Sequence, residues 1–207
     1  MKRIIVVLLL ASFIFIQSCK KSGADGETTL PPPSGQTYGD GWAYAPMDRQ
    51  IMADDGDFAV TGSGFEYKDG WLGVAEDGFF DLACRYEPGS GESFTFCFDY
   101  YAKDGGALYA GIWLYGVDCT PDDGTDGVWM SFSDGSAVIE GEEFKIKKGA
   151  VSVRIEMDSA EEKLTVFADG AKITERECPP KNGGGAVKAV SAKGPVYISN
   201  AAFRIGI

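Results

Sequence analysis

The 207-residue chain contains no histidine. The side chain that most often serves as a general base, and most often ligates transition metals, is therefore missing. Its absence excludes Ser-His-Asp and Cys-His nucleophilic machinery, HExxH zinc sites and histidine-based pH sensing. Positive charge is also scarce: 19 Lys and Arg stand against 31 Asp and Glu, for a formal charge of −12. Such a chain does not track nucleic-acid phosphates, and its body is repelled by anionic lipid surfaces. No window carries a sustained helical period, and no apolar run reaches the roughly 20 residues that a spanning helix requires.

Glycine, by contrast, is abundant at 28 residues, and it often follows aspartate. Asp69-Gly70, Asp77-Gly78, Asp104-Gly105, Asp134-Gly135 and Asp169-Gly170 each separate apolar stretches. Asp-Gly supplies the positive φ that tight hairpin turns require. Between these punctuation marks, strand-like segments cover 58–67, 71–75, 79–86, 94–102, 108–117, 128–133, 137–140, 144–147, 151–157, 164–168, 171–175, 196–199 and 203–207. The alternation of Val151, Val153, Ile155 and Met157 with polar residues gives that strand one dry and one wet face. Many short antiparallel strands predict an all-β domain over residues 41–207, a two-sheet antiparallel β-sandwich or jelly roll.

The N-terminus reads differently. Lys2 and Arg3 precede the apolar run Ile4 to Ile16, and Gln17-Ser18-Cys19 follows. A basic start, a short apolar segment and a small residue at the cut make a secretory signal. Ile16-Gln-Ser18-Cys19 resembles the bacterial lipoprotein lipobox. The resemblance implies a signal peptide over 1–18, a diacylglycerol thioether on Cys19 and attachment to a membrane through acyl chains. Lys20 after Cys19 is not the Asp that retains lipoproteins at an inner membrane, so by the same analogy the expected location is the outer membrane of a cell envelope. Residues 19–40 are rich in Gly, Ser, Thr and Pro, including Pro31-Pro32-Pro33, and read as a flexible tether.

In the domain, Tyr109-Ala-Gly-Ile-Trp113-Leu-Tyr115, Val151-Ser-Val-Arg-Ile155, Lys163-Leu-Thr-Val-Phe167-Ala-Asp169-Gly170 and Gly194-Pro-Val-Tyr-Ile198-Ser-Asn200-Ala-Ala-Phe-Arg204-Ile follow one another. That succession resembles the concanavalin A-like lectin/glucanase superfamily in its laminin-G-like and glycoside-associated forms. The resemblance implies a jelly roll over roughly residues 57–207, and either carbohydrate binding or glycoside processing. Glycoside-processing relatives with this pattern carry an Asn-Ser-Gly-Ile segment followed by Arg. Here Tyr109-Ala110-Gly111-Ile112 stands in that place, with Tyr115 where the Arg would fall.

Several constellations are candidates for function. In the strand 108–117, Leu108, Ala110, Ile112 and Leu114 share one face, and Tyr109, Gly111, Trp113 and Tyr115 the other. The aliphatic row suits the gap between sheets, which leaves an aromatic platform able to stack on pyranose C–H surfaces. Asp99 and Tyr101, with Thr95, are expected to line the neighbouring strand if Phe94, Phe96 and Phe98 point inward. The bland alternative puts Tyr109, Trp113 and Tyr115 beneath a loop or the Trp42–Tyr44 segment. Asp118, Asp122, Asp123 and Asp126 form an acidic loop able to hold a structural calcium ion. Glu156, Asp158 and Glu161 superficially match a laminarinase-type carboxylate signature, yet they fall where a polar hairpin turn is expected. Of the cysteines after Cys19, Cys119 and Cys178 form the preferred disulfide, both lying in loops near proline. Cys84 shares a face with Phe80 and Leu82 and reads as buried; Cys97 lies opposite Phe96 and Phe98 and reads as partly exposed. The expected function is non-catalytic binding of carbohydrate or another extended ligand by a lipid-anchored envelope protein. The alternatives are a glycoside-processing enzyme and a structural, partner-binding lipoprotein.

Overall fold

The computed structural model describes residues 29–45, 47, 57–84, 92–103, 105–113, 127–177 and 186–207. Its regular elements are all strands: β1 Ala43–Ala45, β2 Phe58–Lys68, β3 Trp71–Cys84, β4 Phe94–Ala102, β5 Ala107–Trp113, β6 Gly127–Ser133 and β7 Ser136–Ile139. The remainder are β8 Glu142–Lys145, β9 Val151–Asp158, β10 Lys163–Ala168, β11 Ala171–Glu177, β12 Ala186–Lys193 and β13 Val196–Ile205. Every pairing is antiparallel, in the order β11-β10-β9-β4-β13-β3-β12-β5-β6-β7-β8, with β2 on β3 and β1 on β13.

Three hairpin turns have positive φ at both central positions: Asp69-Gly70 (52° and 81°), Glu140-Gly141 (50° and 81°) and Asp169-Gly170 (47° and 78°). These are the turns whose twist matches that of the strands they join. Asp77-Gly78 is a different case. A turn is expected there, but β3 runs unbroken through it. The reason lies in how the ladder folds over. The first residues of β3 pair with β13 (Leu72↔Ile198), and its last residues pair with β12 (Phe80↔Ala192). β2 follows β3 around this corner, slipping register between Ser63 and Phe65. A Cβ on Gly78 would stand 2.6 Å from the Gly64 carbonyl oxygen, so the two backbones approach as only glycine allows.

The two halves of the ladder face each other. Phe98 of β4 meets Phe132 of β6 edge-on at 5.7 Å between ring centroids, and Tyr100 meets the same ring at 5.5 Å. Phe94, Phe96, Phe98, Leu108, Met130, Ile139, Ile155 and Val166 fill the gap. Burial of an aromatic of this kind is worth about 3–5 kcal/mol against truncation to Ala. The Tyr100 hydroxyl ends against the Ser133 carbonyl at 3.1 Å, and burial raises its pKa above the usual tyrosine value. Across the sandwich, the Arg176 guanidinium of β11 reaches the Glu142 carboxylate of β8 at 2.6 Å, linking the outermost strands of the two halves.

Two further departures from the sequence reading concern the chain ends. β12, for which the sequence predicts no strand, stands between β3 and β5. Residues 31–40, assigned by composition to the tether, lie on the sheet. Trp71 donates from Nε1 to the Pro31 carbonyl at 2.8 Å, the Ser34 amide donates to Asp99 Oδ2 at 2.8 Å, and Tyr38 packs on Trp42 and Tyr44. This strap ends in β1, which adds to the edge of β13 through Tyr44↔Ala202.

Candidate functional site

β4 has a pattern, Phe-Thr-Phe-Cys-Phe-Asp-Tyr-Tyr-Ala, that predicts one dry face and one wet face, yet nearly all of it is buried. The core takes the Phe row. The strap covers Cys97 and Asp99 of the other row, and Thr95 is buried too, its hydroxyl donating to the Gly206 carbonyl at 3.0 Å. Beneath the strap, Asp99 Oδ1 accepts from the Ser152 hydroxyl at 2.6 Å, and Oδ2 accepts from the Ser34 amide and from Asn200 Nδ2 at 2.7 Å. Asn200 sits at a bulge in β13 with φ 49°, a left-handed conformation that Asn tolerates better than most residues. The bulge aims its amide at Asp99 and Ser34, while its Oδ1 accepts from the Tyr44 hydroxyl at 3.0 Å. A carboxylate this deep would be costly without these donors.

Cys97 is thus a buried thiol, where the sequence reading has it partly exposed, and Cys84 is only half-buried. Burial raises the pKa of the Cys97 thiol to about 11, although the Tyr38 hydrogen bond, Arg154 and Arg204 oppose the shift. Burial also raises the Tyr38 hydroxyl above its usual range, with Cys97 and Asp99 adding to the effect.

Among the described residues, no strap covers the outer face of the other half. On β5, Leu108 and Ala110 face the core and Tyr109 faces outward, half-buried. On β6, Val128, Met130 and Phe132 face inward, leaving Trp129 and Ser131 on the outer side. Register places Ser131 between Tyr109 and Val138, and Trp129 opposite Gly111, so Tyr109 and Trp129 are diagonal neighbours. With Val138, Glu140 and Gly141 they line a shallow groove of about 210 Å³. Glu140 is held at its rim by its backbone N–H, which donates a hydrogen bond to the Trp129 carbonyl at 3.0 Å.

The candidate residues therefore separate. Asp99 and Tyr101 do not neighbour the Tyr109 strand: β4 pairs with β13 and β9, whereas β5 pairs with β12 and β6. The connection between β4 and β5 is a crossover to the other half, pinned by the Lys103 amide on the Pro195 carbonyl at 2.9 Å. Asp99 serves the strap, and Tyr101 lies at one end of the sandwich. Trp113 is paired in backbone with Gly127 and Ala186, but its side chain lies outside the described residues. Tyr115, Asp118, Asp122, Asp123, Asp126, Cys119, Cys178 and Cys19 also lie outside them. Among the described residues, no cluster of three or more acidic or cysteine side chains could hold a metal ion.

Trp129 is the groove residue that sequence reasoning missed. The signal was there: a Trp among the polar positions of a strand whose alternate residues are Val128, Met130 and Phe132. The carboxylates near 156–161 have structural partners. Glu156 pairs with Arg154 at 3.3 Å, and Asp158 Oδ1 accepts the amides of Ala160 and Glu161 in the β9–β10 turn.

No family model matches the sequence, and no curated protein matches it. Solved structures with the same fold include carbohydrate recognition domains and lectins. The carbohydrate recognition domain of Emp46p, in its metal-free form, aligns over 83% of this chain and 100% of its own with a TM-score of 0.62 at 8% identity. That of Emp47p aligns over 86% of this chain and 100% of its own, with a TM-score of 0.60 at 12% identity. Arcelin-5, a lectin-like defence protein from Phaseolus vulgaris, covers 80% of this chain and 98% of its own, with a TM-score of 0.54 at 12% identity. The Emp46p domain is also known in a potassium-bound form. Likeness at such identities is one of fold: the domain is a concanavalin A-like jelly roll of the legume-lectin-like type.

Proposed function

We propose that this protein is a lipid-anchored, non-catalytic glycan-binding module of the cell envelope. The observation that carries the reading is the open groove of Tyr109 and Trp129 on a fold shared with carbohydrate recognition domains. Two aromatic side chains offer apolar area and π faces to the C–H side of a pyranose. Gly111 opposite Trp129 keeps that row low, and Ser131 and Glu140 stand at the groove to exchange hydrogen bonds with sugar hydroxyls. Trp113 and Tyr115 would extend the platform along β5, and a cation on Asp118, Asp122, Asp123 and Asp126 would order the loop after it. Cys19 would carry the acyl anchor, at the outer membrane.

A glycan-array screen of the full chain in detergent, with and without calcium, tests the binding. The expected result is selective retention of one glycan class, with affinity lost by about 1–3 kcal/mol in Trp129→Ala, by analogy with base–aromatic stacking. An array without signal, or an unchanged affinity for a neutral glycan in that variant, would overturn the reading. Anchoring is tested apart from binding: Cys19→Ser should release the protein from membranes or leave uncut precursor, and an unchanged, processed membrane fraction would refute it.

A further inference from the structure

At one end of the sandwich, remote in the strand order from the β5–β6 groove, the outer face of the first half carries two tyrosines that the strap network does not use. Tyr101 of β4 and Tyr197 of β13 are register partners, with ring centroids 6.2 Å apart and planes within 30°. The next residue in the row is Gly73, and the Tyr197 ring occupies the space where its side chain would stand. Two half-buried rings at a small mutual angle, leaning over a glycine, make a shelf. Beside it opens a cleft of about 520 Å³ lined by Tyr101, Ala102, Lys103, Asp134, Lys148 and Gly149.

The charges at this end are unevenly committed. Asp134 Oδ1 is held by the Gly149 amide at 2.9 Å, and Lys147 pairs with Asp169 at 3.5 Å. Lys148 lies over Gly135, and neither it nor Lys103 has an ion-pair partner among the described residues. Two ammonium groups without an ion-pair partner among the described residues thus line one cleft beside the aromatic shelf, with a single carboxylate, Asp134, which accepts from the Gly149 amide. An aromatic shelf takes the C–H face of a sugar, and ammonium groups take a carboxylate.

We infer that this end binds uronate-bearing glycans, the sugar ring lying on Tyr101, backed by its neighbour Tyr197, and its carboxylate meeting Lys103 and Lys148. The inference rests on the glycan reading for its ligand class but uses a separate set of residues. Titration of the full chain in detergent with an oligogalacturonate and with its fully methyl-esterified counterpart tests it. The free acid should bind about tenfold more tightly than the ester and lose affinity as salt is raised. Lys103→Gln with Lys148→Gln should remove that preference without changing the melting temperature. Tyr197→Ala should weaken both ligands, and Trp129→Ala should leave oligogalacturonate binding unchanged. Equal affinity for acid and ester, or an unaltered preference in the double lysine variant, would overturn the inference while leaving a neutral-glycan site at Trp129 intact. Oligogalacturonate binding abolished by Trp129→Ala would move the ligand to the β5–β6 groove and would also overturn it. Binding of no glycan by the wild-type chain would remove both readings.

Discussion

The outer faces of the two half-sheets differ in what covers them. On β4 and β13 the face is polar and buried: Asp99 and Asn200 bond to Ser34 and Tyr44 of the strap, Ser199 to the Gly70 carbonyl and Thr95 to the Gly206 carbonyl. On β5 to β7 the face is aromatic and aliphatic, Tyr109, Trp129 and Val138, and it is left partly open. A naive reading of hydropathy would cover the second and expose the first. The difference teaches that a strap laid over a polar surface needs hydrogen-bond partners beneath it as well as its own packing of Tyr38 on Trp42 and Tyr44. An apolar surface left open on a folded domain is then available for a ligand.

Breaking the covered face should have the largest effect. Asp99→Ala leaves the Ser34 amide, the Ser152 hydroxyl and the Asn200 amide without their acceptor, and should cost about 3 kcal/mol or more in denaturant unfolding. Ser131→Ala on the open face should change stability by less than about 0.5 kcal/mol. Equal losses in the two variants would erase the contrast between the faces.

The buried thiol sharpens the comparison through pH. Cys97 has its folded pKa raised from 9.0 to about 11, so between these values the folded state holds a proton that the unfolded chain has released. Stability should therefore be fully present below about pH 9 and fall as pH rises toward 11, by about 1 kcal/mol per pH unit from this group. Cys97→Ala should flatten that part of the profile, leaving the slope due to Tyr38 and Tyr100. The same thiol should resist alkylation until the strap is displaced, and rapid labelling of the native chain would show the strap to be loosely held.

Smaller still is the expected cost of Trp129→Ala to folding, about 1 kcal/mol, since the residue is only half-buried and outside the core. A melting loss in the range of Phe132→Ala, about 3–5 kcal/mol, would instead assign Trp129 to packing. No larger is the effect of Arg176→Ala. Its pair with Glu142 is largely exposed on the glutamate side and should contribute no more than about 1 kcal/mol, screened by salt.

Hairpins and half-buried strands were legible in the sequence because they are local. Asp69-Gly70 and Asp169-Gly170 announce their turns, and Val151 to Met157 announces its buried face. Asp77-Gly78 misleads because a glycine needed for close backbone approach looks the same as one needed for a turn. β12 was missed since its side chains, Ala186-Val-Lys-Ala-Val-Ser-Ala-Lys193, carry neither a strong period nor an aromatic. Its insertion between β3 and β5 is a long-range event that also separates Asp99 from Tyr109. The aliphatic and aromatic faces of β5 could be split from sequence, as Leu108, Tyr109 and Ala110 show, but the partner across the groove could not, because register with β6 follows a connection whose length says nothing about pairing.

The outermost strands have a consequence for how copies of the domain meet. A free strand edge is a template for a second chain. Here the terminal strands carry Glu142, Glu143 and Lys145 on β8, and Lys172, Glu175, Arg176 and Glu177 on β11, and the Arg176–Glu142 bond turns one toward the other. Charge therefore stands where strand addition would begin. Crowding of the domain should not join copies through these two edges.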